Sequence, residues 1–278
     1  MKTNILLPTD FSDNAWSAVV YALKLYANKD CSFYLINSCK SETSSMSIMS
    51  NKLLSIMKDA AMKELLELKR MARIVDANEK HSFKIILSTE SLLDAINRTI
   101  ITHNIDLVVM GTKGASKAKE LFFGSNTVNV LKKIKSCPVL VVPDEFNFVK
   151  PKQIAFPTDY NRLYDDKTLN PLKKISKLHN SKIRILHIQE EKELSKTQNL
   201  NIEKLDKNLA DFEHSFHWML DYDKKASVII DFIEELEINI LVMVNHKHSF
   251  IENIINEPVV KKIGFHPVTP FMAIPSRK

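Results

Sequence analysis

The chain states one pattern twice. Ile5-Leu6-Leu7-Pro8-Thr9-Asp10 returns as Ile154-Ala155-Phe156-Pro157-Thr158-Asp159, and Leu107-Val-Val-Met-Gly-Thr-Lys113 returns as Leu241-Val-Met-Val-Asn-His-Lys247. Pro138-Val-Leu-Val-Val-Pro143 returns as Pro270-Phe-Met-Ala-Ile-Pro275, and a shorter echo links Leu35-Ile-Asn37 to Leu186-His-Ile188. Self-similarity on this scale settles the domain count before any element is assigned. It predicts two like domains, 1–147 and 148–278, with a linker near Asp144–Pro151.

Each repeated run is short, apolar and closed by a turn signal, which is how a strand buried on both faces reads. Strands are expected at 3–8, 31–38, 83–87, 107–110 and 137–143, with helices at 15–26, 53–75, 92–102 and after Gly124. The serine-rich run 39–52 lacks periodicity and reads as a long flexible loop, a candidate lid. Strands alternating with helices give an α/β fold with a parallel sheet and helices on both faces. Ligands bind such sheets at the carboxyl ends of the strands, where the strand order reverses.

Four glycines serve the whole chain, and Gly111, Gly114 and Gly124 fall in MGTKGASKAKELFFGSNT. Average usage would supply roughly 20, spread evenly. Concentration in one loop points to positive φ, or to main-chain N–H groups closing on something bulky and anionic. An apolar strand precedes the loop and a helical pattern follows it, so the helix N-terminus adds a favourable dipole. Lys113, Lys117 and Lys119, opposed by Glu120, make phosphate the natural ligand. The alternative is an ordinary βα connection whose glycines only form turns. There is no Gly-Lys-Ser/Thr of a Walker loop and no set of three close glycines of a dinucleotide fold.

The spacing is Gly, two residues, Gly, nine residues, Gly-Ser, followed by a helix and the strand Cys137–Pro143. It resembles the signature of the ATP-binding subgroup of the universal stress protein family, over the whole chain as two tandem copies. That resemblance implies two tandem Rossmann-like (adenine nucleotide alpha hydrolase-like) domains. Each is a five-stranded parallel sheet of order 3-2-1-4-5 with helices on both faces. It implies ATP as ligand, alone or with Mg2+, and an internal pseudo-dimer of the two domains through their fifth strands; a homodimer is left open. It places Asp10 at the nucleoside and Ser38 where a small apolar residue usually meets adenine. Gly111 and Gly114 would bring main-chain N–H groups to the phosphates, as would Gly124 and Ser125 at the helix start. Thr9, Met110, Lys113, Asn126 and Thr127 complete the candidate set. Asp10, Asn126 and Thr127 also read simply as helix caps.

In the second copy Asn245 stands for Gly111, His248 for Gly114, and Asn256-Glu257 for Gly124-Ser125. Side chains replace bare backbone and Glu257 would repel phosphate, so this half is not expected to bind ATP in the same manner. Gly264 reads as a helix C-cap. His246-x-His248 lacks further ligands at a recognisable spacing for zinc, and His214 and His217 read as sheet residues.

The net charge of +6 is shared by both halves, without the basic stripe or basic-aromatic interleaving of a nucleic-acid binder. Cys31, Cys39 and Cys137 lie far apart with no CxxC, which fits a reducing compartment. The N-terminus is too short for a signal peptide and no apolar run approaches a membrane span, so a cytoplasmic place is expected. No Ser-His-Asp order, paired carboxylates, HxGH, KMSKS or SGGxDS appears. The expectation is an ATP-binding stress-response module without a defined catalytic site. One alternative is a slow ATPase or phosphotransferase using Asp10 and a divalent metal. Another is a ligand-free scaffold.

Overall fold

The structure is a computed structural model and describes residues 2–39, 48–112, 124–144, 146–189, 193–220, 225–246 and 269–276. The backbone divides into two compact units between Asn147 and Phe148. The first unit runs β1 (Thr3–Pro8), α1 (Asp13–Leu25), β2 (Cys31–Ser38), α2 (Ile48–Val75), β3 (Ser82–Ser88), α3 (Leu92–His103), β4 (Leu107–Gly111), α4 (Ser125–Lys133) and β5 (Val139–Val142). Its strands are parallel in the order β3-β2-β1-β4-β5. The second unit runs β6 (Gln153–Pro157), α5 (Asp166–His179), β7 (Lys182–Gln189), α6 (Lys196–Asn208), β8 (His214–Leu220), α7 (Lys225–Glu235), β9 (Ile240–Asn245) and β10 (Phe271–Pro275). Its strands are also parallel, ordered β8-β7-β6-β9-β10. Both units therefore have the 3-2-1-4-5 order, and in each the order reverses beside the first strand.

Continuous apolar runs form the central strands because both sheet faces are covered. Ile5, Leu6 and Leu7 are buried, as is β2 from Cys31 to Asn37. Ser12 caps α1 by accepting from Ala15 N, Ser91 caps α3 through Asp94 N, and Asp165 caps α5 through Thr168 N. The linker residues belong to their own units. Phe146 sets its ring edge-on to Tyr21 at 5.9 Å, while Phe148 lies 6.5 Å from the His179 ring.

Three expectations need correction. First, α2 begins at Ile48, so the end of the expected 39–52 loop is helical; residues 40–47 lie outside the described residues. Each residue added to an existing helix gains a hydrogen bond, which outweighs the modest penalty of Ser50 and Asn51.

Second, positive φ is not what the described glycines provide. The left-handed residues are Phe11, Asn104, Tyr160, Asn180 and Glu237, and Gly124 has ordinary φ −58°. Asparagine tolerates this region because its short side chain can bond locally.

Third, the repeats align one residue away from the sequence match at two strands. Ile5 pairs with Leu107 and Ile154 with Ile240, so Gly111 corresponds to Val244 rather than Asn245. Pro8 pairs with Ile36 and Pro157 with Leu186, so Asn37 corresponds to His187. An apolar run slid by one residue looks much the same in composition, and only strand pairing fixes its register. Among the described residues no helix is long and apolar enough to cross a membrane.

Candidate functional site

The carboxyl ends of β1, β2 and β4 and the start of α4 enclose a cavity of about 310 Å³ in the first unit. Nine of the eleven expected residues line it: Thr9, Asp10, Ser38, Met110, Gly111, Gly124, Ser125, Asn126 and Thr127. Lys113 and Gly114, with Lys117, Lys119 and Glu120, lie outside the described residues. Pro8, Ala15, Asn37 and Leu92 also line the cavity and were not expected. The β1 and β2 residues among them adjoin expected ones. Leu92 opens α3 and had no motif to mark it.

The turn after β1 is built by its own hydroxyls. Thr9 Oγ1 accepts from Phe11 N at 3.0 Å, and Phe11 takes φ 65°. Asp10 Oδ1 accepts from Ser12 N at 3.2 Å and from Ser12 Oγ at 2.6 Å. Ser12, not Asp10, is the cap of α1, and the Asp10 carboxylate braces that cap. The Ser38 hydroxyl is already committed, donating to the Glu90 carbonyl at 2.6 Å. Its polarity is thus met by the loop before α3, and Leu92 supplies an apolar wall nearby.

The opposite side is the N-terminus of α4. Gly124 is its N-cap and, having no side chain, provides no cap hydrogen bond. The first-turn N–H groups have no intrahelical acceptor, and with no side-chain cap they are ready to meet an anion. Ser125 and Asn126 are exposed there. Thr127 is different. It is buried and donates from Oγ1 to the Gly111 carbonyl at 3.0 Å, which pins the first turn of α4 to the end of β4. Gly111 owes its bareness to packing. A β-carbon there would strike Asn14 of α1, which leaves glycine the residue that fits.

The second unit repeats the turn but not the rest. Thr158 Oγ1 accepts from Tyr160 N at 3.1 Å and Asp159 Oδ1 from Asn161 N at 3.0 Å. The helix cap falls at Asp165 rather than two residues after the aspartate, so α5 starts farther along, and Val244 stands where β4 has glycine. Tyr160 is buried and stacks on His187 at 4.8 Å, with Trp218 5.8 Å away, so rings line this end of the unit. His246 directly follows β9, while His248, Asn256, Glu257 and Gly264 lie outside the described residues. His214 and His217 are strand residues of β8.

The family model described as the universal stress protein family matches residues 1–143. A universal stress protein from Archaeoglobus fulgidus has a similar structure, with a TM-score of 0.68 at 18% identity, covering 97% of this chain and 95% of its own. A functionally unknown protein from Pseudomonas aeruginosa matches with a TM-score of 0.59 at 13% identity, covering 98% of this chain and 92% of its own. No curated protein matches the sequence. At these identities the structural likenesses speak for the fold, and they extend over both units. The family model spans just over half of the residues and includes every element around the cavity: the chain belongs to the universal stress protein family.

Proposed function

We propose that the first unit binds ATP in this cavity and that the protein is a nucleotide-dependent binding module of the cytoplasmic stress response. The observation that carries the reading is the uncapped N-terminus of α4 opening onto the cavity whose far side is the Asp10 turn. The phosphates lie at the N–H groups of Ser125 and Asn126, where the helix dipole favours negative charge, while the Gly124 N–H already donates to the Thr112 carbonyl at 2.7 Å. A carboxylate repels phosphate, so Asp10 belongs with the ribose hydroxyls or the base. Pro8, Ala15 and Leu92 offer the base apolar surface. Lys113 and Gly114, outside the described residues, belong to the phosphate end in this reading on their sequence spacing alone.

Among the described residues no group of three His, Cys, Asp or Glu side chains gathers, so Mg2+ enters this reading as the counter-ion of the nucleotide. The second unit does not bind ATP in this manner, since it carries Val244 for Gly111 and ring side chains beside the turn. The two like units form the internal pseudo-dimer of the same reading, supported by their matching strand orders. Titration calorimetry with ATP tests the proposal. One site per chain is expected, and a nucleotide released on denaturing the purified protein should be identifiable by mass. Absence of binding, or two equal sites per chain, overturns it.

A further inference from the structure

The side chain of Asn37 sits in the cavity wall, yet its amide donates to the backbone of the neighbouring strand end. It is 8% exposed, donates from Nδ2 to the Thr9 carbonyl at 2.8 Å, and accepts at Oδ1 from the Cys39 thiol at 3.1 Å. Thr9 precedes Asp10, and the next residue, Phe11, is held at φ 65°. A bulky residue in that region persists only where its surroundings over-determine it. The Thr9 hydroxyl on Phe11 N holds one side of the turn, and Asn37 on the Thr9 carbonyl holds the other.

The second unit solves the same problem with another side chain. Its strand register puts His187 in the place of Asn37, and His187 Nδ1 lies 3.0 Å from the Thr158 carbonyl. A carbonyl only accepts, so Nδ1 is the donor. There too the threonine hydroxyl accepts from the following left-handed residue, Tyr160, at φ 56°. Two different residues make the equivalent hydrogen bond to equivalent carbonyls, those of Thr9 and Thr158, which marks the bond as what the turn requires.

We infer that Asn37 is a positioning residue for the nucleoside end of the site: its donation to the Thr9 carbonyl fixes the turn that aims Asp10 into the cavity. The inference rests on the nucleotide reading above. It makes a demand that a merely structural residue would not meet. Losing the bond should weaken a ligand that reaches Asp10 and spare one that occupies the α4 end alone.

The test is calorimetry on the full chain with ATP and, separately, with inorganic tripolyphosphate, which has no nucleoside. Asn37→Leu should lower ATP affinity at least tenfold and change tripolyphosphate affinity less than twofold. Asn37→His, which restores a donor in the manner of His187, should hold ATP affinity within about threefold of the unaltered chain. If Asn37→Leu does not fold, Asn37→Ala carries the same comparison. The inference is overturned if the apolar variant keeps its ATP affinity. It is equally overturned if both ligands weaken together, or if the histidine variant falls as far as the leucine one. Failure of the unaltered chain to bind ATP would sink the nucleotide reading itself, a separate outcome.

Discussion

Asn14 of α1 fills the space that a side chain on Gly111 would need. A β-carbon built on Gly111 would lie 2.0 Å from Asn14 Oδ1, 2.6 Å from its Cγ and 2.9 Å from its backbone oxygen. The first two contacts involve a side chain that can turn away, but the third is main chain. Gly111→Ala should therefore destabilise the first unit by about 1–3 kcal/mol, the usual range for overpacking. Adding Asn14→Ala should recover part of that loss and not all of it, because the backbone oxygen stays. Urea unfolding of the three variants measures both steps. An unchanged midpoint in Gly111→Ala would show that α1 is free to retreat from β4.

Thr127 links the same strand end to the helix that opens the cavity. Its hydroxyl is buried and donates to the Gly111 carbonyl. Thr127→Val keeps the shape and removes the donor, leaving a buried carbonyl short of a partner at a cost of about 1–2 kcal/mol. The first turn of α4 then loses its tie to β4, so ATP affinity should fall along with stability. Thermal unfolding and nucleotide titration on one preparation check the two effects together. Lower stability with intact affinity would separate the tie from the anion site.

How much of this was legible beforehand differs by level. The alternation of apolar runs and helical spacing marked the five strands of the first unit, because strands buried on both faces read as continuous apolar runs, and the family resemblance supplied their order. The PTD turns and the glycine spacing located the cavity. Register was not legible. Leu107–Met110 and Leu241–Val244 are apolar throughout, so a shift by one residue cost nothing on paper, and only pairing with β1 and β6 identified Val244 as the partner of Gly111. The reason for Gly111 was hidden as well, since it depends on where Asn14 lands after α1 packs. Asn37 was missed because its chemistry is a bond to the Thr9 carbonyl, a relation between strands that no spacing encodes.

The second unit has a titrating group whose setting makes its stability depend on pH. His217 lies on β8 with its ring 5.3 Å from that of Phe232 on α7. Arg184 Nη1 donates to Ser215 Oγ at 2.7 Å, and Ser215 Oγ lies 2.7 Å from His217 Nε2. With the Ser215 oxygen taken by arginine, its hydrogen is free for the ring nitrogen, an arrangement that suits a neutral imidazole. Burial, then the charge of Arg184, lower the His217 pKa below its ordinary 6.5, with Glu235 opposing. The unfolded chain thus takes up this proton at a higher pH than the folded one. Stability from His217 is complete above pH 6.5 and is lost as the pH falls through the lower folded value. His217→Gln, neutral throughout, should flatten that part of the profile. Urea unfolding of both proteins from about pH 8 to about pH 5 reads the difference. Parallel profiles below pH 6.5 would mean that the Arg184–Ser215–His217 chain does not hold the ring neutral.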